Sequence, residues 1–287
     1  SYDQELHETT DIIKIQSQIA QSIAEELKAI MTPEEKQLIE KTPTSNLEAY
    51  NYYLLGNDYY HRNYERQNLE ISAKMYGKAI ESDPKFSLAY VRLALCHLRF
   101  YWFLYDHSME RLERSKEAID AAIKIDPDLP DTHLALGYYY YWGFLNYSKA
   151  LEEVNIAQQK LINNSDCFEL KGSIYRRAGE WSFAMENLSR AFKLDPGSSL
   201  IAQDLAGTFY FVGEHEQSEK YYNKAILLNP LFVENYLQKS LMYMKWKGNT
   251  NQARSTIAEL LKIDESVPDL RIFEQKVASI QDDIVRA

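Results

Sequence analysis

One spacing governs this chain: a pattern of small and large apolar residues recurs every 34 residues. The clearest copy runs Phe168…Lys171-Gly172…Tyr175…Ala184…Leu188…Ala191…Pro196, and the next runs Ala202…Leu205-Ala206…Phe209…Ser218…Tyr222…Ala225…Pro230. Every slot of the second lies 34 residues beyond its counterpart in the first, as 172 and 206 do. A unit of that length spells helix, turn, helix. It is too small to bury its apolar face alone, so neighbouring units must stack. Four copies close on Asp-Pro or Asn-Pro, at Asp83-Pro84, Asp126-Pro127, Asp195-Pro196 and Asn229-Pro230. Proline cannot continue a helix and biases the residue before it out of the helical region, so each pair ends a unit.

The other copies fit with local changes. The first has Tyr52…Leu55-Gly56…Tyr59, then Ser72…Tyr76…Ala79. The second has Tyr90…Leu93-Ala94…His97, then Ser115…Ile119…Ala122, with extra residues around Trp102–Ser108. The third has His133…Leu136-Gly137…Tyr140, then Ala150…Val154…Ala157, and lacks the closing proline. The last has Tyr236…Lys239-Ser240…Tyr243, then Ala253…Ile257…Leu260. Small residues at Gly56, Gly137, Gly172, Ala184 and Ala253 are placed to let two helices approach closely. Tyr175, Leu188 and Phe209 are placed to fill the gaps. The expected fold is all-α: about six helix pairs over residues 46–264, with no strands.

These slots resemble the tetratricopeptide repeat, whose pattern W-x2-L-G-x2-Y…A-x3-F…P they follow. The resemblance covers roughly residues 46–264. It implies a right-handed α–α superhelix whose first helices face a concave groove that binds a peptide or protein. On that expectation the groove-lining residues are Tyr53, Asn57 and Tyr60 in the first repeat, Tyr138, Tyr141 and Trp142 in the third, Arg176 and Arg177 in the fourth, and Tyr210 and Phe211 in the fifth. Aromatic anchors would grip the partner and the two arginines would pair a carboxylate on it. A Tyr stripe at helical spacing equally fits packing against the second helices or the N-terminal flank. Chaperone-binding relatives grip a C-terminal carboxylate with Lys and Asn. Here Asn57 fits one such slot, but Tyr53, Arg92, Asp131 and Ala135 hold the others, so that clamp is broken.

Two flanks lie outside the repeats. Ile12, Ile15, Ile19, Ile23 and Leu27 recur at helical steps from Asp11 to about Ile30. Thr32-Pro33-Glu34-Glu35 reads as a fresh helix start, and Ser45 with Glu48 as the capping box that opens the first repeat. At the other end, Leu270, Phe273, Val277, Ile280 and Ile284 describe a capping helix over 265–287. The stretch from Tyr2-Asp3-Gln4-Glu5-Leu6 through Asp11–Ala20 to Thr32-Pro33-Glu34-Glu35 and Asn46-Leu47-Glu48-Ala49-Tyr50 is similar to a connector in multidomain bacterial regulators. There it joins tetratricopeptide repeats to an upstream winged-helix or cyclase output domain, often through a TolB-like domain. The resemblance implies that residues 1–45 are connector helices and that the chain is the sensor or interaction region of a cytoplasmic regulator. A free-standing adaptor or assembly factor is the alternative.

Composition bears on what remains. The formal charge is −10, from 32 basic and 42 acidic residues, and no basic run occurs. Phosphate binding needs clustered Lys and Arg, so direct nucleic-acid binding is not expected. The longest apolar stretch, near Leu134–Leu145, is far short of a membrane span. Cys96 and Cys167 sit in different repeats at no metal or disulfide spacing, which fits two buried thiols. Six histidines form no metal-ligand pattern, and the nucleophile and phosphate-loop motifs are missing. No cofactor and no enzymatic activity are therefore expected. The expected partner is a protein or peptide; the sequence leaves oligomeric state open, a homodimer included.

Overall fold

A computed structural model describes residues 43–62, 65–247 and 250–263. The connector stretch over 1–42 and the C-terminal cap over 265–287 lie outside the described residues. Twelve α-helices and no strand occur among those described. They form two compact units that divide between Asn163 and Asn164.

The first unit holds α1 (Leu47–Arg62), α2 (Arg66–Ser82), α3 (Ser87–Trp102), α4 (Met109–Ile125), α5 (Pro130–Phe144) and α6 (Tyr147–Lys160). Each odd helix pairs with the next even one, and the pairs stack in sequence, with α3 also against α5. The second unit repeats this with α7 (Ser165–Ala178), α8 (Trp181–Leu194), α9 (Ser199–Phe211), α10 (His215–Leu228), α11 (Val233–Lys247) and α12 (Thr250–Ile263).

The small slots do what their size suggests. A Cβ on Gly172 would lie 2.6 Å from Leu188 Cγ and 3.1 Å from the Leu188 backbone nitrogen. A Cβ on Gly56 would lie 2.6 Å from the Tyr76 ring. Helix contact across these pairs is thus backbone against side chain, and Leu188, Tyr76, Ala184 and Ala253 are fully buried or nearly so. Tyr175 and Phe209 stay half-buried and stack within their own helix pairs, on Phe183 at 5.3 Å and Tyr221 at 5.4 Å.

Helix ends follow the register too. The residue after each of the first five second helices donates its amide to the carbonyl of the alanine in the repeated slot: Asp83 to Ala79, Asp126 to Ala122, Leu161 to Ala157, Asp195 to Ala191, Asn229 to Ala225. In two of the three Asp-Pro turns the aspartate also accepts from the backbone two residues on, Asp83 from Lys85 and Asp195 from Gly197. The start of the first repeat differs from the expected Ser45/Glu48 box. Asn46 is the cap: its Oδ1 accepts from the Ala49 amide at 3.1 Å, and its Nδ2 donates to the Ser82 carbonyl at 2.7 Å. Asparagine can bridge both helices of the pair, which a serine at 45 cannot. Buried Thr44 adds a hydrogen bond to Asp83.

Between the helices of a pair the chain must reverse, and residue slot 145/179/213 takes a left-handed conformation. Gly179 and Gly213 occupy it at φ 81° and 84°. Leu145 occupies the same slot at φ 51°, and Leu104 adopts φ 61° in the enlarged turn of the second pair. A Cβ in this region costs roughly 1–2 kcal/mol, so these two leucines are strained where glycine is not.

Candidate functional site

In the first unit, the first helices present an aromatic and cationic face. On α1, Tyr53 packs on Phe86 and Tyr76 with ring centroids 4.9 and 5.9 Å away. Asn57 accepts a hydrogen bond from the Tyr76 hydroxyl at 2.8 Å. Tyr60 lies under the Arg99 guanidinium at 3.6 Å, with Arg92 5.9 Å from the same ring, and Arg99 also donates to the Tyr60 carbonyl. On α5, Tyr138 stacks against Trp142 at 4.4 Å, and Trp142 against Trp102 of α3 at 5.9 Å. Tyr141 meets Trp102 and Tyr147.

Burial divides these residues. Tyr53, Tyr60, Tyr138 and Tyr141 expose between 2% and 8% of their surface, so most of each ring lies in the interior. Asn57 and Trp142 are half-buried. The expected aromatic stripe is therefore a wall whose rings support the unit, with only its edges reaching solvent.

The second unit distributes its residues otherwise. Arg176 Nη2 lies 2.8 Å from Asp204 Oδ1, and Asp204 also accepts from the Ser173 hydroxyl at 3.1 Å. The Arg176 charge is thus engaged within the unit, tying α7 to α9. Arg177 is exposed one residue on. Tyr210 is half-buried and lies in a chain of rings with His215 and Trp246, with Lys245 5.8 Å from its centroid. Phe211 is 64% exposed and stacks on Trp181.

Sequence reasoning missed a cleft of about 510 Å³ in the first unit. Its lining is mostly apolar, with Pro43, Tyr53, Leu88, Leu129 and Pro130, and carries the charged side chains Lys85, Lys160, Asp126, Asp128 and Asp131. The cleft sits where helix starts and Asp-Pro turns converge, a feature of packing that no residue spacing announces.

Also missed was the polar cluster that secures the enlarged turn. Arg111 bonds Asp106 through Nε at 2.7 Å and His97 Nδ1 through Nη1 at 3.0 Å, and lies over the Phe100 ring. Burial, then the charge of Arg111, pushes the His97 imidazole down to about 4. Neutral His97 is the acceptor Arg111 requires. His133 pairs with Glu153 at 2.7 Å. Both thiols are free and buried; burial raises Cys96 to about 12, and its Sγ donates to the Ser72 hydroxyl at 3.7 Å. Among the described residues no cluster of three or more His, Cys, Asp or Glu is placed to hold a metal, and no helix is long and apolar enough to cross a membrane.

Stacked helix pairs of this kind make each unit an all-α helical-repeat fold. Residues 203–230, spanning α9 and α10, match the family described as Tetratricopeptide repeat. The chain is 21% identical over 198 residues to RNA polymerase II-associated protein 3 of Xenopus tropicalis, with 62% of this chain covered. It is 28% identical over 222 residues to Anaphase-promoting complex subunit 3 of Schizosaccharomyces pombe, with 74% covered. The chain spans only 30% and 32% of the length of these curated relatives. Among solved structures, the human IFIT1 dimer with PPP-AAAA superposes with a TM-score of 0.63 at 17% identity, covering 91% of this chain and 59% of that one. At such identity the likeness establishes the fold.

Proposed function

We infer that this chain is a non-enzymatic scaffold that binds a protein or peptide on the faces formed by its first helices. The observation that carries this reading is the 510 Å³ cleft of the first unit, lined by apolar side chains together with a few charged ones. A preformed apolar recess with a few polar groups at its edge is how a fold offers an anchor pocket to a side chain. Anaphase-promoting complex subunit 3 is by its name part of an assembly, which supports the same broad role here. The connector-like N-terminal flank favours the interaction or sensor region of a larger cytoplasmic regulator over a free-standing adaptor.

The test is retention of partners on the immobilised full chain, compared with Leu88→Asp. Leu88 lines the cleft and is half-buried, so a charge there spoils the pocket. A specific protein retained by the natural chain and lost with Leu88→Asp, at unchanged helical content, is the expected result. Equal retention by both would remove the cleft from the reading.

A further inference from the structure

We propose that the second unit carries a notch, formed by Gly207 of α9 and the hydroxyl of Tyr222 of α10, that takes the carboxamide side chain of an asparagine or glutamine on a bound protein or peptide. The inference rests on the reading of the first-helix faces as a peptide-binding surface.

Two helix pairs of this chain put tyrosine in the same second-helix slot, at Tyr76 and at Tyr222; Ile119, Val154, Leu188 and Ile257 hold it in the others. Both tyrosines lie in the interior, exposing 0% and 3% of their surface. A buried phenol calls for a partner to its hydroxyl. In the first pair that partner is Asn57, one residue after the small slot at Gly56. Its Oδ1 accepts from the Tyr76 hydroxyl at 2.8 Å. The residue in the same place after Ala206 is Gly207, which has no side chain to offer. The Tyr222 ring packs on Ala206, Met242, Tyr243 and Ala253, and its hydroxyl makes no hydrogen bond among the described residues.

The space beside that hydroxyl suits the missing group. A Cβ on Gly207 would lie 3.8 Å from the Tyr222 hydroxyl oxygen and 3.6 Å from Arg176 Nη1, both ordinary contact distances. A carboxamide arriving there reaches Tyr222 as Asn57 reaches Tyr76. What Gly207 leaves out is one side chain, so a side chain fits better than a backbone amide. Gly207 is half-buried, and α9 touches the first helices on either side of it, α7 and α11. The notch therefore belongs to the face read as the binding surface.

The electrostatics select a neutral acceptor. Burial raises the Tyr222 hydroxyl above the ordinary tyrosine range, so it keeps its proton and can donate. Arg176 is engaged by Asp204, through Nη2 to the carboxylate at 2.8 Å and through Nη1 to the carbonyl at 3.3 Å. The negative charges of Asp204 and Glu234 both act on the Tyr222 hydroxyl. A ligand carboxylate would be repelled by these two. A carboxamide brings an acceptor without charge, and donors of its own.

Two measurements on the full chain test the notch and its ligand. The first uses Gly207→Asn, which supplies a carboxamide from the chain itself. Tyr222→Phe alone is expected to leave the melting temperature unchanged or raise it, since the hydroxyl it removes bonds nothing in the unit. In the Gly207→Asn background the same change is expected to lower it by about 2 °C or more. Equal effects in the two backgrounds would show that the notch seats no carboxamide, and the inference would fall. The second measures retention on immobilised pools of short peptides, random except for a central Asn, Gln, Asp or Leu. The natural chain should be retained roughly fivefold better or more on the Asn or Gln pool than on the Leu and Asp pools. Gly207→Asn and Tyr222→Phe should each abolish that preference. Equal retention on the Asn, Gln and Leu pools overturns the ligand while leaving peptide binding in place. Preference for the Asp pool overturns it as well. A preference that survives Gly207→Asn but is lost in Leu88→Asp would belong to the first unit's cleft and not to this notch. Retention on no pool would count against the peptide-binding reading itself and remove the ligand with it.

Discussion

At Gly172 the whole repeat logic reduces to one missing methyl group. With Leu188 side chain and backbone both within about 3 Å of the absent Cβ, a larger residue must push two helices apart. Gly172→Leu should destabilise the second unit by ~1–3 kcal/mol or more. Urea titration checks this, and an unchanged midpoint would show the slot to be looser than its geometry. His97 offers a residue-scale test of a different kind. Its imidazole is held near 4, against about 6.5 unfolded, by burial and then by Arg111. Between those values the unfolded chain takes up a proton that the folded one refuses. Stability is thus whole above pH 6.5 and drains away as pH falls towards 4, by at most ~3 kcal/mol. His97→Gln keeps an acceptor for Arg111 without titrating. The natural chain should lose more stability than the variant between pH 7 and 5; equal losses would mean that His97 is not the titrating group.

Elements were the most legible scale in the sequence, and their turns the least. The 34-residue register places α7 to α10 directly, because Gly172, Leu188, Ala206 and Tyr222 are packing residues repeated at fixed spacing. It fails where a turn is improvised. Nothing in the sequence around Trp102–Ser108 shows that Arg111, Asp106 and His97 would secure the enlarged loop, since the three come from different elements. Nor does spacing reveal that Arg176 spends its charge on Asp204. That pair ties α7 to α9, and neither side chain is more than about a fifth exposed. Arg176→Ala should therefore cost ~1–3 kcal/mol, because it leaves Asp204 without its cation. Adding Asp204→Ala should recover part of that loss. Strictly additive losses in the double-mutant cycle would show that the pair is not coupled. The turn at Leu145 gives the converse. Its slot holds glycine at 179 and 213, so Leu145→Gly should relieve left-handed strain and be neutral or stabilising by ~1 kcal/mol. A clear loss would mean that this half-exposed leucine packs usefully after all.

For the molecule as a whole, the question is which of the aromatic residues on the first helices recognise a partner and which merely hold the stack. Sequence periodicity could not separate them, because the same helical step serves a groove and a core; burial tells interior rings from exposed ones. Tyr141 exposes 2% of its surface and Phe211 64%. Tyr141→Ala should behave as a core truncation, costing ~3–5 kcal/mol. Phe211→Ala removes little beyond a stack on Trp181, so its cost should not exceed ~1 kcal/mol. Phe211 is therefore the cleaner probe of recognition. If the second unit takes part in binding, Phe211→Ala should weaken retention of a captured partner tenfold or more at nearly unchanged melting temperature. Retention that is unchanged in Phe211→Ala but lost in Leu88→Asp would confine recognition to the first unit. An exposed phenylalanine at the end of α9 would then be one of the apolar residues that any folded surface carries.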